Sequence, residues 1–397
     1  MEKSILRNGC SVIGSNLRRA VEKSGSTESF LQCILCGSTC DINSTRYFCP
    51  NCVSEHEGHY GNLEVSYNFS ELTSLPFPGQ AFTIYEGNTP LVRNGRMSEF
   101  YGFRNLYCKC EMANPSASFK DRASSYMIAQ AIRLNKTDVV LASSGNAGVS
   151  VATYALKAGI RCHIFVPQTA SKEKLELLRL LKASIVYVNG TFEDSYFESL
   201  KSKDARESYS CHAGSNPFAM EAYKKTALEI YEKIGVPGKI IVPVGDGTHL
   251  SGIWKGFKEL KRVSISKTTP QMIAVQVAGA DPVAIAFKKG LLKYVLKNPV
   301  ESVAEGIVAS ESYNSIFAVK ALKESGGYPI SVTDEEIVRN LRVAITNGMI
   351  IEPTSAAALA AVERMRNDEK VRKDETTVCM LTGSGIKTLS EISEVLS

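Results

Sequence analysis

The sequence predicts an α/β protein with parallel sheets and a small cysteine-bearing module ahead of them. Three observations predict it. From about residue 105, apolar runs alternate with helical stretches. Three of those runs end in glycine-containing turns, at 143–148, 245–249 and 382–385. Near the N-terminus, Cys33-x2-Cys36 and Cys49-x2-Cys52 stand twelve residues apart. Strand–helix alternation requires crossover connections, and these give parallel sheets with helices on both faces.

Residues 1–30 are polar and serine-rich and read as a loose arm. Residues 31–67 form the cysteine module. From 68 to 90 the chain is punctuated by proline and glycine, as in a linker leading into the main body, 68–397. Strands are expected at 139–142, 162–166, 184–188, 239–244, 271–278 and 377–381, where apolar runs are short and bounded by turn signals. Helices are expected at 119–134 and 250–260, then at 334–347, 354–367 and after 385. No internal repeat is present.

Composition narrows the function. Forty-six basic and 41 acidic residues leave a net charge of +5, too mild to predict nucleic-acid binding. The N-terminus lacks the apolar segment of a signal peptide, and no run approaches membrane-spanning length, so a cytoplasmic protein is expected. In a reducing compartment the 11 cysteines are not a disulfide frame. Cys33, Cys36, Cys49 and Cys52 have the spacing of two knuckles around one tetrahedral zinc. Cys40 lies between them and competes as a ligand. Cys10, Cys108, Cys110, Cys162, Cys211 and Cys379 mostly sit in or near apolar runs and read as small core residues.

The chemistry centres on Lys120. In Asn114-Pro115-Ser116-Ala117-Ser118-Phe119-Lys120-Asp121-Arg122 a turn and a capping serine place this lysine in the first turn of an amphipathic helix. The positive end of the helix dipole there favours the free amine, the form that does imine chemistry. The three glycine turns present backbone amides to an anionic ligand. A dinucleotide fingerprint does not fit Gly245-x-Gly247, because Leu250 stands where a third glycine belongs, and no nucleotide P-loop follows. Five histidines without a pair at metal spacing argue against a histidine zinc hydrolase.

The lysine segment resembles the Asn-Pro-Thr-Gly-Ser-Phe-Lys-Asp-Arg-Gly motif of threonine synthases, pyridoxal-phosphate enzymes of fold type II (the tryptophan synthase β-like fold). The likeness runs from the cysteine module to the C-terminus. It includes Glu86-Gly87-Asn88-Thr89-Pro90-Leu91, the segment 250–257, and Glu352-Pro353-Thr354-Ser355-Ala356-Ala357. It implies two parallel-sheet α/β domains with the cofactor in the cleft, the smaller at about 123–215 inserted in the larger. It also implies a zinc-ribbon-like module, an amino-acid substrate and a homodimer. By matching motif, Lys120 would hold pyridoxal 5′-phosphate as an imine and later shuttle protons. Asn146 would bond the ring hydroxyl, and Thr382 would meet the pyridine nitrogen. Gly245, Asp246, Gly247, Thr248 and His249 would surround the cofactor phosphate, with His249 either touching it or capping the helix. Ser143, Ser144 and Ala147 would take the substrate carboxylate.

Departures from the family pattern gather on the substrate side. The arginine that grips the phosphate of O-phosphohomoserine is Ala219 here, with Arg104, Lys172 and Lys224 as candidate replacements. Thr248 stands where glycine is usual, which predicts a reshaped loop, and Ser384 replaces a histidine. Three readings stay open: threonine synthase, a β-elimination or β-replacement enzyme, and a non-catalytic family member.

Overall fold

The computed structural model describes residues 29–44, 47–52, 61–69, 76–170, 172–201, 207–366, 368 and 372–396. The expected arm lies outside them, apart from Ser29 and Phe30, which open the first strand. The cysteine module is an antiparallel sheet, β2-β1-β3, of β1 (Ser29–Cys33), β2 (Thr39–Asp41) and β3 (Leu63–Tyr67).

The main body continues through β4 (Leu91–Arg93), α1 (Gly95–Tyr101), β5 (Asn105–Cys110) and α2 (Lys120–Arg133). Then come β6 (Asp138–Ala142), α3 (Asn146–Ala158), β7 (Arg161–Pro167), α4 (Lys172–Leu180), β8 (Ser184–Val188), α5 (Phe192–Lys201) and β9 (Tyr209–Ser210). The chain goes on through α6 (Pro217–Ile234), β10 (Lys239–Pro243), α7 (Thr248–Arg262), β11 (Gln271–Val277), α8 (Pro282–Lys288) and α9 (Ser315–Ser325). It ends with β12 (Tyr328–Val332), α10 (Asp334–Thr346), α11 (Pro353–Arg366), β13 (Thr376–Leu381) and α12 (Leu389–Leu396).

Two sheets organise these elements. One has the order β8-β7-β6-β9 and is parallel throughout. The other has the order β12-β11-β10-β13-β5-β4, parallel except for β4. Every expected strand is present within a residue or so of its predicted bounds. Strands β5 and β12 were not expected, for different reasons. Strand β12 carries Pro329, which ordinarily argues against a strand; it lies at the edge of its sheet, where a missing N–H costs little. Strand β5 carries Lys109, a charge in an otherwise apolar run, and that lysine is buried in an ion cluster.

Apolar burial holds each layer. Leu106, Ile241, Ile273 and Val275 of the larger sheet pack with residues of α11, whose positions 356–362 are all fully buried. A helix lined with alanine can approach a sheet closely, so α11 forms a buried layer over it. Val139, Leu141, Ile164 and Val166 form the core of the smaller sheet with Tyr154 and Leu178. Of the cysteines read as core residues, Cys108, Cys110, Cys162, Cys211 and Cys379 are buried, and Cys10 lies outside the described residues. No described helix is long and apolar enough to cross a membrane.

A buried ion cluster ties β5, α2 and α6 together. Arg122 Nε lies 2.7 Å from Glu111, and its Nη1 lies 2.7 Å from Glu229. Lys109 Nζ donates to Glu229 at 2.6 Å, and the Thr89 hydroxyl donates to Glu111 at 2.8 Å. Burial alone would raise the Glu111 carboxyl; the Arg122 guanidinium more than offsets it and holds the group at about 2. The unfolded chain therefore binds a proton that the folded chain refuses. This stability is present above the unfolded carboxylate range and is lost as pH falls towards 2. Arg122→Leu should strand the buried Glu111 carboxylate and leave Glu229 with Lys109 alone, lower stability by about 3–5 kcal/mol and flatten the acid limb of the stability profile, as urea unfolding between neutral and acid pH would show.

Candidate active site

The site forms where strands of both parallel sheets end. Strand β13 runs beside β5, and Leu381 pairs with Cys110 as both strands finish. Beyond Leu381 the chain turns through Thr382 and Gly383; beyond Cys110 it runs to the lysine segment. The two exits are stitched together. Phe119 N donates to Thr382 O at 2.9 Å, Ser384 N donates to Ala117 O at 3.0 Å, and Ser118 forms a bridge with Gly383.

Lys120 is the first residue of α2, and its ammonium lies 4.6 Å from the centre of the Phe119 ring. The loop before it is fixed from within. Asp121 accepts from Ser116 N at 2.6 Å, from the Ser116 hydroxyl, and from the Ser150 hydroxyl at 2.6 Å. Asn114 donates to Glu111 O at 2.7 Å and accepts from Gly87 N at 2.9 Å. This shape forces Ala117 to φ +62°, a left-handed conformation that an L side chain resists.

Asn146 opens α3 after the turn 143–145. Ser143 shapes that turn by accepting from Gly145 N at 3.3 Å, and a side chain at Gly148 would strike the Ser143 carbonyl. Ser144 and Ala147 flank Asn146 at this helix start, where first-turn N–H groups lack helical acceptors. The Asn146 side chain faces the other sheet. It donates to Glu352 at 2.8 Å and accepts from Lys387 Nζ at 2.5 Å. The Thr382 hydroxyl lies 3.1 Å from Glu352 Oε1 and 3.1 Å from the Ser355 hydroxyl. Lys120, Asn146 and Thr382 thus share one site. Glu352 and Lys387 belong to it too, although sequence reading gave them no role. Lys387 lies five residues after Thr382, and a charged residue so near a glycine turn was the available signal.

The turn 245–247 precedes α7. Among the described residues the N–H groups of Gly245, Asp246 and Gly247 have no acceptor. Gly247 takes φ +91°, and a side chain there would meet Asn314 O at 3.0 Å. The expectation of a turn reshaped by Thr248 needs correcting on one point. The left-handed residue is Gly247, and Thr248 is the first residue of the helix, so its side chain costs the turn nothing. The Thr248 hydroxyl donates to Ala213 O at 3.2 Å and accepts from Asn314 at 2.8 Å. Its N–H donates to Asp246 Oδ1 at 2.9 Å. His249 is buried, and neither ring nitrogen has a partner among the described residues. Its ring stacks on Phe119 at 4.3 Å, and burial lowers it to about 3, so it is neutral.

The family described as "Pyridoxal-phosphate dependent enzyme" matches residues 82–383. This chain belongs to it. The threonine synthase of Methanocaldococcus jannaschii is 33% identical over 376 residues, covering 90% of this chain and 92% of that one. That of Methanosarcina acetivorans is 30% identical over 380 residues, covering 92% and 94%. Solved structures share the fold: maize serine racemase at TM-score 0.68 and 22% identity, over 78% of this chain and 92% of that one. An L-serine ammonia-lyase from Rhizomucor miehei superposes at TM-score 0.70 and 20% identity, over 80% and 98%.

The residues fit the cofactor of this pyridoxal-phosphate family. A turn with unused N–H donors at a helix start suits a phosphate, the orphaned His249 nitrogens lie two residues beyond it, and a lysine stands close by. The substrate side is less furnished. Ala219 is fully buried in the first turn of α6. Lys224 does not replace the missing arginine, because it is buried against Glu221 and Glu259 and donates to Pro76 O. Arg104 is exposed beside the opposite, N-terminal end of β5. The side chain of Lys172 lies outside the described residues.

The cysteine module carries a second site. The sulfurs of Cys33, Cys36, Cys49 and Cys52 all lie within 4.8 Å of one another. The Cys33–Cys52 and Cys36–Cys49 separations are 3.8 and 3.6 Å, close to the ~3.8 Å edge of a tetrahedron built on 2.3 Å zinc–sulfur bonds. These four could hold a metal ion. Cys40 is not among them; it sits in β2, paired with Leu31.

Ala117→Gly should relieve the left-handed alanine and raise stability by about 1 kcal/mol, readable as a higher urea midpoint at unchanged slope.

Proposed function

We propose that the protein is a lyase of the threonine synthase type, turning O-phosphohomoserine and water into threonine and phosphate. The observation that carries this reading is the meeting of Lys120, Asn146 and Thr382 at the ends of the two parallel sheets, stitched by the Phe119–Thr382 hydrogen bond. The likeness to threonine synthases over most of the chain supports it.

Pyridoxal phosphate bound there supplies an electron sink for the substrate's α carbon. Lys120 holds the cofactor and, once released, takes and returns protons at the substrate carbons; lysine can do this and arginine cannot. The turn 245–249 takes the cofactor phosphate on backbone N–H groups. Ser143, Ser144 and Ala147 take the substrate carboxylate at the start of α3. Asn146 bonds the ring hydroxyl. Thr382 meets the ring nitrogen with a neutral hydroxyl, so no carboxylate fixes a proton there directly. A weaker sink favours expulsion of a side-chain leaving group over transamination. The four-cysteine cluster holds a structural zinc.

One observation favours a second reading. With Ala219 buried where an arginine is usual and Lys224 locked in its own cluster, a phosphate ester lacks that charged grip. A substrate without phosphate, eliminating at the β carbon, would not need it.

A substrate panel separates the two. Threonine and phosphate should form from O-phosphohomoserine. Pyruvate or 2-oxobutyrate from serine, threonine, O-phosphoserine or diaminopropionate, with no threonine formed, transfers the assignment to β-elimination. Lys120→Ala should lose the visible absorbance of bound cofactor and lower turnover by at least about 10³-fold; retained turnover refutes the role of Lys120. Metal analysis should find one zinc per chain, and Cys49→Ala should release it and lower the melting temperature.

A further inference from the structure

Asn146 and Thr382 converge on one buried carboxylate, Glu352. Asn146 Nδ2 donates to its Oε2 at 2.8 Å, and Thr382 Oγ1 lies 3.1 Å from its Oε1. The carboxylate is held where it stands. Glu352 N donates to Gly383 O at 3.1 Å, and any side chain at Gly383 would collide with the carboxylate. The Asn146 amide is held as well, because Lys387 Nζ donates to its oxygen at 2.5 Å and to Ser116 O at 2.8 Å. Its nitrogen is therefore the end that faces Glu352.

A proton count shows what this arrangement can do. Thr382 has one hydroxyl proton. Ser355 already accepts from Gly383 N at 3.0 Å and has Gly383 O at 3.2 Å for its own proton. The Ser355 oxygen keeps a second lone pair 3.1 Å from the Thr382 hydroxyl; when the Thr382 proton is not spent there, it goes to Glu352 or outward into the site. If Glu352 is ionised it accepts a hydrogen bond from that hydroxyl, and the Thr382 oxygen faces outward as an acceptor, suited to a protonated ring nitrogen. If Glu352 carries the proton, it donates to Thr382, and the hydroxyl donates outward to a neutral ring nitrogen.

We propose that Glu352 is a positioning residue that shares one proton with the cofactor's ring nitrogen, with the Thr382 hydroxyl as the relay. The proposal rests on the reading of Thr382 as the ring-nitrogen contact. In the transfer the Glu352 O–H bond breaks, Thr382 gains that proton and gives up its own, and an N–H bond forms at the ring; no further reactant is needed. The two states hold the same number of protons, so the ring's strength as an electron sink is set inside the protein. The charged groups facing the carboxylate are Lys120 on α2 and Lys387 after β13, and Asp121 acts on Lys387. Both lysines favour the ionised carboxylate, whereas burial favours the neutral acid and raises its pKa. These opposed influences keep both proton positions within reach.

The test loads the full chain with pyridoxal 5′-phosphate labelled with ¹⁵N in the ring and reads the ring-nitrogen signal by NMR. Borohydride reduction and peptide mapping check attachment to Lys120 in each sample. The wild type should show a signal displaced towards the protonated position. Glu352→Gln should move it to the neutral position: its amide oxygen still accepts from Asn146, its amide N–H donates to Thr382, and the threonine proton then points outward. Thr382→Val, which cuts the relay and leaves Glu352 intact, should give the neutral signal too. Equal signals in the wild type and Glu352→Gln, with cofactor on Lys120, overturn the proposal, as does a protonated signal in Thr382→Val. If either variant fails to fold, a fully neutral signal in the wild type overturns it without them. A wild-type chain that carries no cofactor on Lys120 overturns this inference and the proposed function together, so the two failures are distinguishable.

Discussion

The candidate active site depends on a short stitch between two chain exits. Strand β13 lies between β5 and β10, so the residues after Leu381 leave the sheet beside the residues after Cys110. The Phe119–Thr382 and Ser384–Ala117 hydrogen bonds fix one exit against the other. Everything proposed to act on a cofactor ring is positioned by that contact. Lys120 comes from one exit and Thr382 from the other. Glu352 is pinned by Gly383, and Asn146 reaches across from the smaller sheet to meet it. The left-handed Ala117 is the strain this geometry stores, and the buried Arg122 cluster just beyond Lys120 is what anchors α2 against it.

Much of this was legible in the chain. Turn chemistry at 143–148, 245–249 and 382–385 marked the strand ends correctly because each follows a short apolar run. Sequence also located the lysine and the four clustered cysteines, where local spacing is the signal. Other features depend on pairing between distant segments. Strand β12 was not expected, and a sequence does not show that Pro329 will lie at a sheet edge. Strand β5 was not expected either, and the partner that lets Lys109 be buried in it, Glu229, lies 120 residues away in the chain. Lys224 looked like a spare cation for a phosphate; in the fold its charge is consumed by Glu221 and Glu259. Glu352 reads in sequence as the residue before a helix, and only the fold sets it between Asn146 and Thr382.

The cysteine module packs onto the catalytic body through polar contacts as well as apolar ones. Tyr67 donates to Glu221 at 2.6 Å, inside the Lys224 cluster. Asn62 donates to Asn314 at 2.7 Å, and Asn314 in turn donates to the Thr248 hydroxyl and, from its backbone N–H, to Asp246 O at 2.8 Å. Asn62 follows Gly61, whose carbonyl accepts from Cys49 N at 2.7 Å and whose Cα faces the sulfur cluster so closely that a side chain would collide with Cys52 and Cys49. Two asparagines therefore separate the sulfur cluster from the turn that precedes α7.

The central place of β13 also bears on how the protein is made. Its residues are made after every other strand of the two large sheets, yet β5 and β10 have no sheet partner between them until it arrives. The smaller sheet is complete in sequence by Ser210 and can assemble during translation, whereas the larger one must wait with an open slot. A nascent chain stalled before residue 376 would expose two unpaired parallel edges, a natural target for chaperones and a hazard for aggregation.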